Sequence, residues 1–323
     1  MAASDQTPLG SGFAAKSEPD QILSGIDLGG KTAIVTGGYS GIGVETVRAL
    51  AKAGARVIVP NRNREKARAN LAGVDGDIGL ADLDLADLAT VRAFTAKMNA
   101  ELERVDLLIN NAGVMACPEA RVGPGWESQF GTNHMGHFAM TLGLWPLLEA
   151  GRETRVVALT SIGQKRSDVR WDDVHFERTP YDKWIAYGQA KTANSLFALG
   201  LSRRLADSGG RAFTVHPGGI FTPLQRHLPT EEQIELGWLD EDGKPNPPAA
   251  AIFKTPAQGC TTTLWAATSP MLADKGGLYC EDCDVAALAT EDSPQYLHVA
   301  PWAVDDEAAE RLWSLSEDLL ARA

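Results

Sequence analysis

The segment GIDLGGKTAIVTGGYSGIG, residues 25–43, contains two glycine patterns that predict different proteins. The first, G-x-x-x-x-G-K-[ST], runs from Gly25 to Thr32 and is the phosphate loop of ATP- and GTP-binding proteins. The second, G-x-x-x-G-x-G, runs from Gly37 to Gly43. Its spacing is found where a dinucleotide pyrophosphate rests on the start of a helix. The two patterns cannot both be functional.

The residues around each pattern decide between them. A P-loop lies between a strand and a helix, because the helix N-terminus completes the phosphate cradle. Lys31 is followed instead by TAIVTG, whose β-branched residues predict a buried strand. That strand leads through the second pattern into GVETVRALAKAG, an amphipathic helix. We therefore interpret the second pattern as functional: Gly37 permits a tight turn, Gly41 lets the backbone approach a pyrophosphate, and Gly43 lets the helix pack closely.

Composition excludes several functional classes. The chain has 323 residues, a net charge of −12 and one dense basic stretch, Arg62 to Arg68, so we expect neither a nucleic-acid nor a membrane partner. The polar start predicts an N-terminal arm, residues 1–27, and no secretory signal. Four cysteines are typical of a reducing compartment, and we expect a cytoplasmic protein. Cys280 and Cys283 lack a second ligand pair, so no metal site is predicted.

From residue 28 the chain alternates short apolar runs with longer amphipathic stretches. This alternation predicts a single α/β domain, residues 28–323, in which a doubly wound parallel sheet of about seven strands carries helices on both faces. The Pro-rich, charged segment 222–255 follows the sixth predicted strand. Because a doubly wound sheet binds its ligand at the carboxyl ends of its strands, we expect this segment to form a substrate lid.

Further motifs follow in a fixed order. NNAG ends at Gly113, Ser161 ends the fifth predicted strand, Y-x-x-x-K runs from Tyr187 to Lys191, and HPGGIFT follows the sixth strand. With the glycine loop, these motifs resemble the short-chain dehydrogenase/reductase family over about residues 28 to 290. NHMGHF, starting at Asn133, is similar to the retinol-dehydrogenase-like branch. The resemblance implies a Rossmann-type fold.

Tyr187 and Lys191 are four residues apart in a predicted helix and therefore share one face. An ammonium beside a phenol favours the phenolate, so we expect Lys191 to lower the pKa of Tyr187 from about 10. The resemblance implies that Tyr187 is the general acid/base and that Ser161 orients the substrate oxygen. It also implies that Lys191 binds the nicotinamide ribose and that Asn133 supports a proton relay. Each residue alone has a structural alternative, such as packing or capping.

The resemblance also implies a set of cofactor contacts around the nucleotide, from the pyrophosphate loop to the nicotinamide. These residues are Gly37, Tyr39, Ser40, Gly41, Ile42, Gly43, Asn61, Arg62, Asp84, Leu85, Asn111, Ala112, Gly113, Tyr187, Lys191, Pro217, Gly218, Ile220 and Thr222. One position differs from the family pattern: Gly219 stands where a bulkier residue is usual.

The end of the second predicted strand indicates the cofactor preference. An NAD-specific enzyme usually places an acidic residue there to bind the ribose hydroxyls. Asn61 holds that position and Arg62 follows it, so a 2′-phosphate meets no carboxylate and one guanidinium. We therefore predict NADP(H) in preference to NAD(H). The alternative is that Arg62 is a solvated charge.

The predicted reaction interconverts a carbonyl and an alcohol on a bulky, largely apolar small molecule. Apolar residues in the loops after Ser161 and Pro217 support this class. They are Trp171, Phe176, Trp184, Leu224, Leu228, Ile234, Leu236 and Trp238. Two other hypotheses stay open: a catalytically silent dinucleotide-binding protein, and an epimerase or double-bond reductase on the same scaffold. A homo-oligomer is compatible with the sequence, which does not specify it.

Overall fold

Apolar, β-branched runs form the central sheet in the computed structural model, which describes residues 6–151 and 153–323. The strands of this part of the chain are β1 (Thr32–Val35), β2 (Arg56–Asn61), β3 (Ile78–Asp82), β4 (Leu107–Asn110), β5 (Arg121–Val122), β6 (Trp126–Glu127), β7 (Arg155–Leu159), β8 (Arg211–His216), β9 (Leu278–Glu281) and β10 (Asp284–Val285).

The main sheet has the strand order β10-β9-β8-β7-β4-β1-β2-β3, and β5 and β6 form a separate hairpin. The order reverses between β1 and β4, which creates the crevice where doubly wound sheets bind ligands. The predicted parallel sheet with helices on both faces is confirmed.

The sheet has one strand more than predicted, because β10 pairs antiparallel with β9. Asp282 and Cys283 form the two-residue turn between them, with φ of +48° and +63°. Such turns favour Asn-Gly or Asp-Gly, since both residues adopt left-handed conformations. Asp-Cys carries no such signal, so the sequence did not predict this hairpin.

Helices cover both faces of the sheet. Those of the described chain are α1 (Pro19–Ile22), α2 (Ile42–Lys52), α3 (Arg64–Leu71), α4 (Leu88–Glu101), α5 (Ser128–Phe130), α6 (Gly136–Gly143), α7 (Trp145–Ala150), α8 (Lys183–Arg204), α9 (Thr230–Glu235), α10 (Pro247–Ile252), α11 (Pro256–Thr268) and α12 (Asp306–Ala321). A π-helical turn, Gly131–Met135, joins α5 to α6.

Two apolar cores, one on each face, hold the helices to the sheet. One contains Phe138, Phe197 and Trp313 from α6, α8 and α12. The other contains Leu50 of α2 and Trp265 of α11. The longest helix, α8, begins where the Asp182 carboxylate accepts hydrogen bonds from the Trp184 and Ile185 amides. This cap fixes the start of the helix that carries Tyr187 and Lys191.

The described part of the N-terminal arm lies against the sheet edge. The Gln6 side chain is buried, and its amide donates to the carbonyls of Tyr279 and Ala286 at 2.6 and 3.0 Å. The Asp284 carboxylate accepts from three successive amides, Leu9 to Ser11, at 2.8–3.1 Å. Residues 1–5 of the predicted arm lie outside the described residues. One polar side chain of the arm, Gln6, and three of its main-chain amides thus hold it to the sheet edge.

Lys31 precedes β1 and forms an ion pair with Asp106 at 3.2 Å. A strand rather than a helix follows it, so the P-loop match has no structural basis. Among the residues that the structure describes, no helix is long and apolar enough to cross a bilayer.

Candidate active site

A cavity of about 750 Å³ opens at the carboxyl ends of the parallel strands. The predicted site residues are separated by up to 185 positions in sequence, but nearly all of them line this one cavity. Gly43 and Asn133 are not among its lining residues. Segment 222–255, predicted to form a lid and called the lid segment below, supplies part of the wall, including Leu224, Trp238 and Phe253.

The glycine loop lies tightly against the NNAG segment. A Cβ at Gly37, whose φ is +65°, would lie 3.0 Å from Cα of Ala112. A Cβ at Gly43 would lie 2.3 Å from the carbonyl oxygen of Gly37, so Gly43 serves close packing of α2 rather than contact with a ligand. Gly41 is the N-cap of α2, and no side chain of the described residues caps that helix. Apart from the Gly43 amide, which donates to the Ser40 carbonyl at 3.1 Å, its first amides are therefore available to an anion.

Asn61 and Arg62 lie at the edge of the cavity where β2 ends. The Asn61 amide donates to the carbonyls of Val59 and Ala81, at 3.3 and 2.9 Å. Its Oδ1 is buried and has no hydrogen-bond partner among the described residues. The Arg62 guanidinium lies 3.9 Å from the Asp84 carboxylate.

Thr36 and His137 brace the NNAG segment, although sequence reasoning gave neither a role. Thr36 Oγ1 accepts hydrogen bonds from the amides of Asn111 and Ala112 at 2.9 and 3.0 Å. It also lies 2.8 Å from His137 Nε2, while His137 Nδ1 lies 2.9 Å from the Asn133 carbonyl. Burial lowers the pKa of His137 to about 4, so the ring is neutral. Nδ1 therefore donates to the carbonyl, and Nε2 accepts from Thr36.

Tyr187 and Ser161 meet at the centre of the cavity. The Tyr187 hydroxyl hydrogen-bonds with the Ser161 side chain, whose Oγ also accepts from the Gly163 amide at 3.1 Å. Lys191 Nζ donates to the Leu159 carbonyl at 3.0 Å and lies 5.7 Å from the centre of the Tyr187 ring. Tyr187 is 3% exposed and Lys191 is 5% exposed, so both side chains are shielded from bulk water.

The pKa of Tyr187 moves opposite to the sequence expectation. Burial raises it to about 12, and the hydrogen bond with Ser161 only partly opposes that rise. Burial also lowers the pKa of Lys191 to about 8. The predicted lowering of the Tyr187 pKa by Lys191 is therefore wrong. Desolvation of the phenolate outweighs an ammonium whose hydrogen bond is directed at Leu159.

Asn133 lies in the π-helical turn behind the cavity. Its side chain accepts from the Val114 amide at 2.8 Å and donates to the Val114 carbonyl at 2.9 Å. These two bonds hold the strand end that carries Gly113. The proton relay through Asn133 stays a prediction.

The segment after β8 is held by Lys254, whose buried side chain forms an ion pair with the half-buried Asp282. Lys254 Nζ lies 2.6 Å from Asp282 Oδ1, and the Lys254 amide donates to the Gly219 carbonyl. A Cβ at Gly219 would lie 2.7 Å from the Phe253 ring. The glycine that differs from the family pattern thus makes room for Phe253 of the lid segment.

A family model described as "short chain dehydrogenase" matches residues 31–233. A Streptomyces lividans protein named "Probable oxidoreductase" is 41% identical over 302 residues, which cover 92% of this chain and 99% of that protein. The chain belongs to the short-chain dehydrogenase family.

Two further relatives agree with this assignment. Human "Retinol dehydrogenase 14" is 35% identical over 312 residues, covering 89% of this short-chain dehydrogenase and 85% of the relative. A Mycobacterium paratuberculosis protein of known crystal structure is 32% identical, with a TM-score of 0.70 over 91% of this chain and 94% of that one. The chain is therefore an oxidoreductase by family.

Members of the family bind nicotinamide dinucleotides, and the cavity of this short-chain dehydrogenase fits such a group. The uncapped start of α2 offers amides to a pyrophosphate. The buried, unpartnered Oδ1 of Asn61 offers an acceptor to a ribose hydroxyl. The cavity is also lined by Lys16 and Lys66, two cations that sequence reasoning did not place there.

Half of the apolar residues proposed for the substrate pocket of this short-chain dehydrogenase line the cavity: Trp184, Leu224, Leu236 and Trp238. The others are elsewhere. Trp171 stacks under Arg311 at 4.4 Å and Phe176 under Arg170 at 4.4 Å, so both anchor their loop. Leu228 packs in a cluster with Met115, Ala116 and Tyr187. Sequence alone could not separate anchors from lining residues, because both are apolar and lie in the same loops.

Proposed function

We propose that the protein is an NADP(H)-dependent oxidoreductase that interconverts a carbonyl and an alcohol, with Tyr187 as general acid/base. One observation carries the proposal: the Tyr187 hydroxyl, on a side chain that is 3% exposed, meets the half-buried Ser161 hydroxyl in the cavity that the dinucleotide loop borders. Retinol dehydrogenase 14, a relative by sequence, bears the name of an alcohol-oxidising enzyme.

In the reductive direction, the substrate carbonyl oxygen accepts hydrogen bonds from Ser161 and Tyr187. When bound beside Pro217 and Gly218, a nicotinamide cofactor would supply the hydride that the carbonyl carbon accepts. Tyr187 gives its proton to the oxygen, and Lys191 then stabilises the phenolate that remains. Ser161 holds the oxygen within reach of Tyr187 throughout. The buried phenol keeps its proton at neutral pH, because its pKa is raised to about 12, so the donor form is the resting form.

The preference for NADP(H) rests on the end of β2. Arg62 and Lys66 line the cavity there, and the neutral Asn61 replaces the carboxylate that would repel a 2′-phosphate. Asp84 also lies there, 3.9 Å from the Arg62 guanidinium, and holds it beside the cavity.

We also propose that the substrate is a lipophilic small molecule, because Trp184, Leu224 and Trp238 line the cavity beside Tyr187.

We further propose that the protein is cytoplasmic. The four cysteines of the described chain form no disulfide bonds, as is usual in a reducing compartment.

Tyr187→Phe tests the chemistry. The variant removes only the hydroxyl, so it should fold, bind NADPH and lose at least ~10²-fold in kcat for aryl ketones, the usual scale of a general acid. NADPH oxidation at 340 nm measures the rate, and NADPH fluorescence measures binding. Tyr181→Phe is the matched control, since Tyr181 lies outside the cavity lining.

Two outcomes would contradict this proposal. Activity of Tyr187→Phe within a few-fold of the wild type would remove Tyr187 from the mechanism. Tight NADPH binding by the wild type without turnover of any ketone or alcohol would favour the alternative, a catalytically silent dinucleotide-binding protein.

A further inference from the structure

The cavity is cationic although the protein is acidic. Seven cationic side chains line it: Lys16, Arg62, Lys66, Arg166, Lys191, Arg226 and Lys254. Its acidic lining residues are two, Asp84 and Asp282, whereas the whole chain has a net charge of −12. The cavity therefore attracts an anionic ligand, whereas the negative charge of the rest of the protein repels it.

The proposed cofactor and one internal ion pair account for most of these charges. Arg62 and Lys66 lie where β2 ends, with Asp84. Lys16 reaches the cavity from the arm, whose helix α1 packs on α11 beside the start of α2. Lys191 lies under Tyr187, and Lys254 is neutralised by Asp282 at 2.6 Å.

Two cations remain, Arg166 and Arg226, and both border the substrate part of the cavity. The Arg166 guanidinium carbon lies 4.8 Å from the centre of the Trp184 ring, which lies 6.3 Å from the centre of the Tyr187 ring. Arg166 is therefore one aromatic ring away from the proposed acid.

Arg226 approaches from the lid segment on the other side. It lies in the short helical turn Pro223–His227, and its guanidinium donates to the Pro223 carbonyl at 3.0 Å. Leu224 and Leu228, each two residues from Arg226 in the sequence, pack in the apolar cluster that contains Met115, Ala116 and Tyr187.

Neither guanidinium takes part in an ion pair within residues 6–151 and 153–323. Both side chains line the cavity and are exposed, whereas the residues packed with Tyr187 are buried and apolar. A substrate that complements all of these groups has its carbonyl at Tyr187 and an apolar body along Trp184 and Trp238. It also has a negative group beside the two arginines.

Building on the proposed function, we infer that the substrate is an amphipathic carboxylate or phosphate ester: an apolar ketone or alcohol whose anionic group is bound by Arg166 and Arg226. A neutral lipophilic ketone uses the same wall but gives neither guanidinium group an ion-pair partner.

A matched pair of ketones tests this inference. The probes are 4-(4-acetylphenyl)butanoate and its methyl ester, in which one aromatic ring and three methylenes separate the ketone from the charged or neutral end. With saturating NADPH, the wild type should show a KM for the acid at least about fivefold below that for the ester, the scale expected of exposed charge pairs. This preference should shrink as salt is added, because both arginines are exposed.

The double variant Arg166→Gln/Arg226→Gln should bring the acid-to-ester ratio of kcat/KM close to one. Arg322→Gln, which removes an exposed arginine at the far C-terminus, is the matched control and should keep the wild-type ratio. An ester that is reduced as well as the acid by the wild type would overturn the inference but leave the proposed carbonyl chemistry intact. An acid-to-ester ratio of kcat/KM that is the same in the double variant as in the wild type would also overturn the inference.

The absence of turnover for both probes would count against the proposed function instead. Calorimetric titration of the NADP⁺-loaded protein with the same two probes then decides the inference. Binding of the acid at least about fivefold more tightly than the ester, lost in the double variant, supports it. Equal dissociation constants overturn it.

Discussion

At the scale of single residues, burial sets the chemistry of Tyr187. The phenol is 3% exposed, and its pKa is raised to about 12 although an ammonium lies nearby. A phenol with this pKa is protonated at neutral pH, so it can donate a proton but cannot accept one until it has lost its own. The two directions of the reaction should therefore depend on pH in different ways.

We expect ketone reduction to stay level between pH 6 and about 7, because Tyr187 keeps its proton. The rate should fall as the pH rises through about 8, because Lys191 then loses the charge that stabilises the phenolate. Alcohol oxidation needs the phenolate, whose fraction grows as pH rises toward the pKa, so its kcat/KM should increase with pH. Stopped-flow or steady-state rates in both directions from pH 6 to 10 measure this. A reduction rate that climbs with pH over the same interval would contradict the assignment of Tyr187 as donor.

The cofactor preference also belongs to single residues. NADPH should exceed NADH in kcat/KM by at least ~10-fold, since one charge-assisted contact contributes roughly 1.5–3 kcal/mol. Arg62→Gln should remove most of that preference. Arg64→Gln is the matched control, because Arg64 pairs with Asp82 and does not line the cavity. Equal use of both cofactors by the wild type would refute the prediction.

Asn61→Asp should also erase or reverse the preference by placing a negative charge beside the phosphate. The structure adds a second consequence. Asn61 donates to two main-chain carbonyls, and a carboxylate cannot. We therefore expect Asn61→Asp to lower the free energy of unfolding by about 1–3 kcal/mol, which thermal denaturation of the ligand-free protein would show.

At the scale of secondary-structure elements, the edge hairpin β9–β10 contacts both the N-terminal arm and Lys254 of the lid segment. Its turn supplies Asp282 to the ion pair with Lys254, and its second strand supplies Asp284 to the amides of the N-terminal arm. The arm in turn brings Lys16 to the cavity. The hairpin thus helps to position Lys254 and Lys16 at the cavity, although Asp282 is its one residue among those that line the cavity.

Asp284→Ala should release the arm. Three amide hydrogen bonds from Leu9 to Ser11 are lost, and because they are partly exposed we expect a decrease of about 1–2 kcal/mol in unfolding free energy. Trypsin should then cleave after Lys16 faster than in the wild type. Asp292→Ala, at an exposed turn, is the control. An unchanged cleavage rate would show that Gln6 and α1 hold the arm without Asp284.

At the scale of the whole molecule, charge is unevenly distributed. The chain has a net charge of −12, yet the cavity is lined by more cations than anions. An anionic dinucleotide is therefore repelled by the general surface and attracted by one cleft, and a cleft focuses that attraction.

The KM for NADPH should consequently rise with ionic strength. Because salt screens exposed charges over about 10 Å at 0.1 M, we expect an increase of about threefold or more between 20 mM and 500 mM NaCl. The KM for a neutral ketone, measured in the same buffers, is the control and should change little. A KM for NADPH that is independent of salt would show that contacts within the cavity, and not the field around it, govern binding.

The sequence by itself determined the sheet, the order of the motifs and the rejection of the P-loop. Each depends on short-range patterns: strand-forming runs, glycine spacing and the four-residue separation of Tyr187 and Lys191. Tertiary structure decided the rest. The Asp282–Cys283 turn lacks a local signal, the arm and the hairpin are about 275 residues apart, and the pKa of Tyr187 depends on how deeply it is buried. Contacts between distant segments and desolvation exist only once the chain has folded, so no local pattern could predict them.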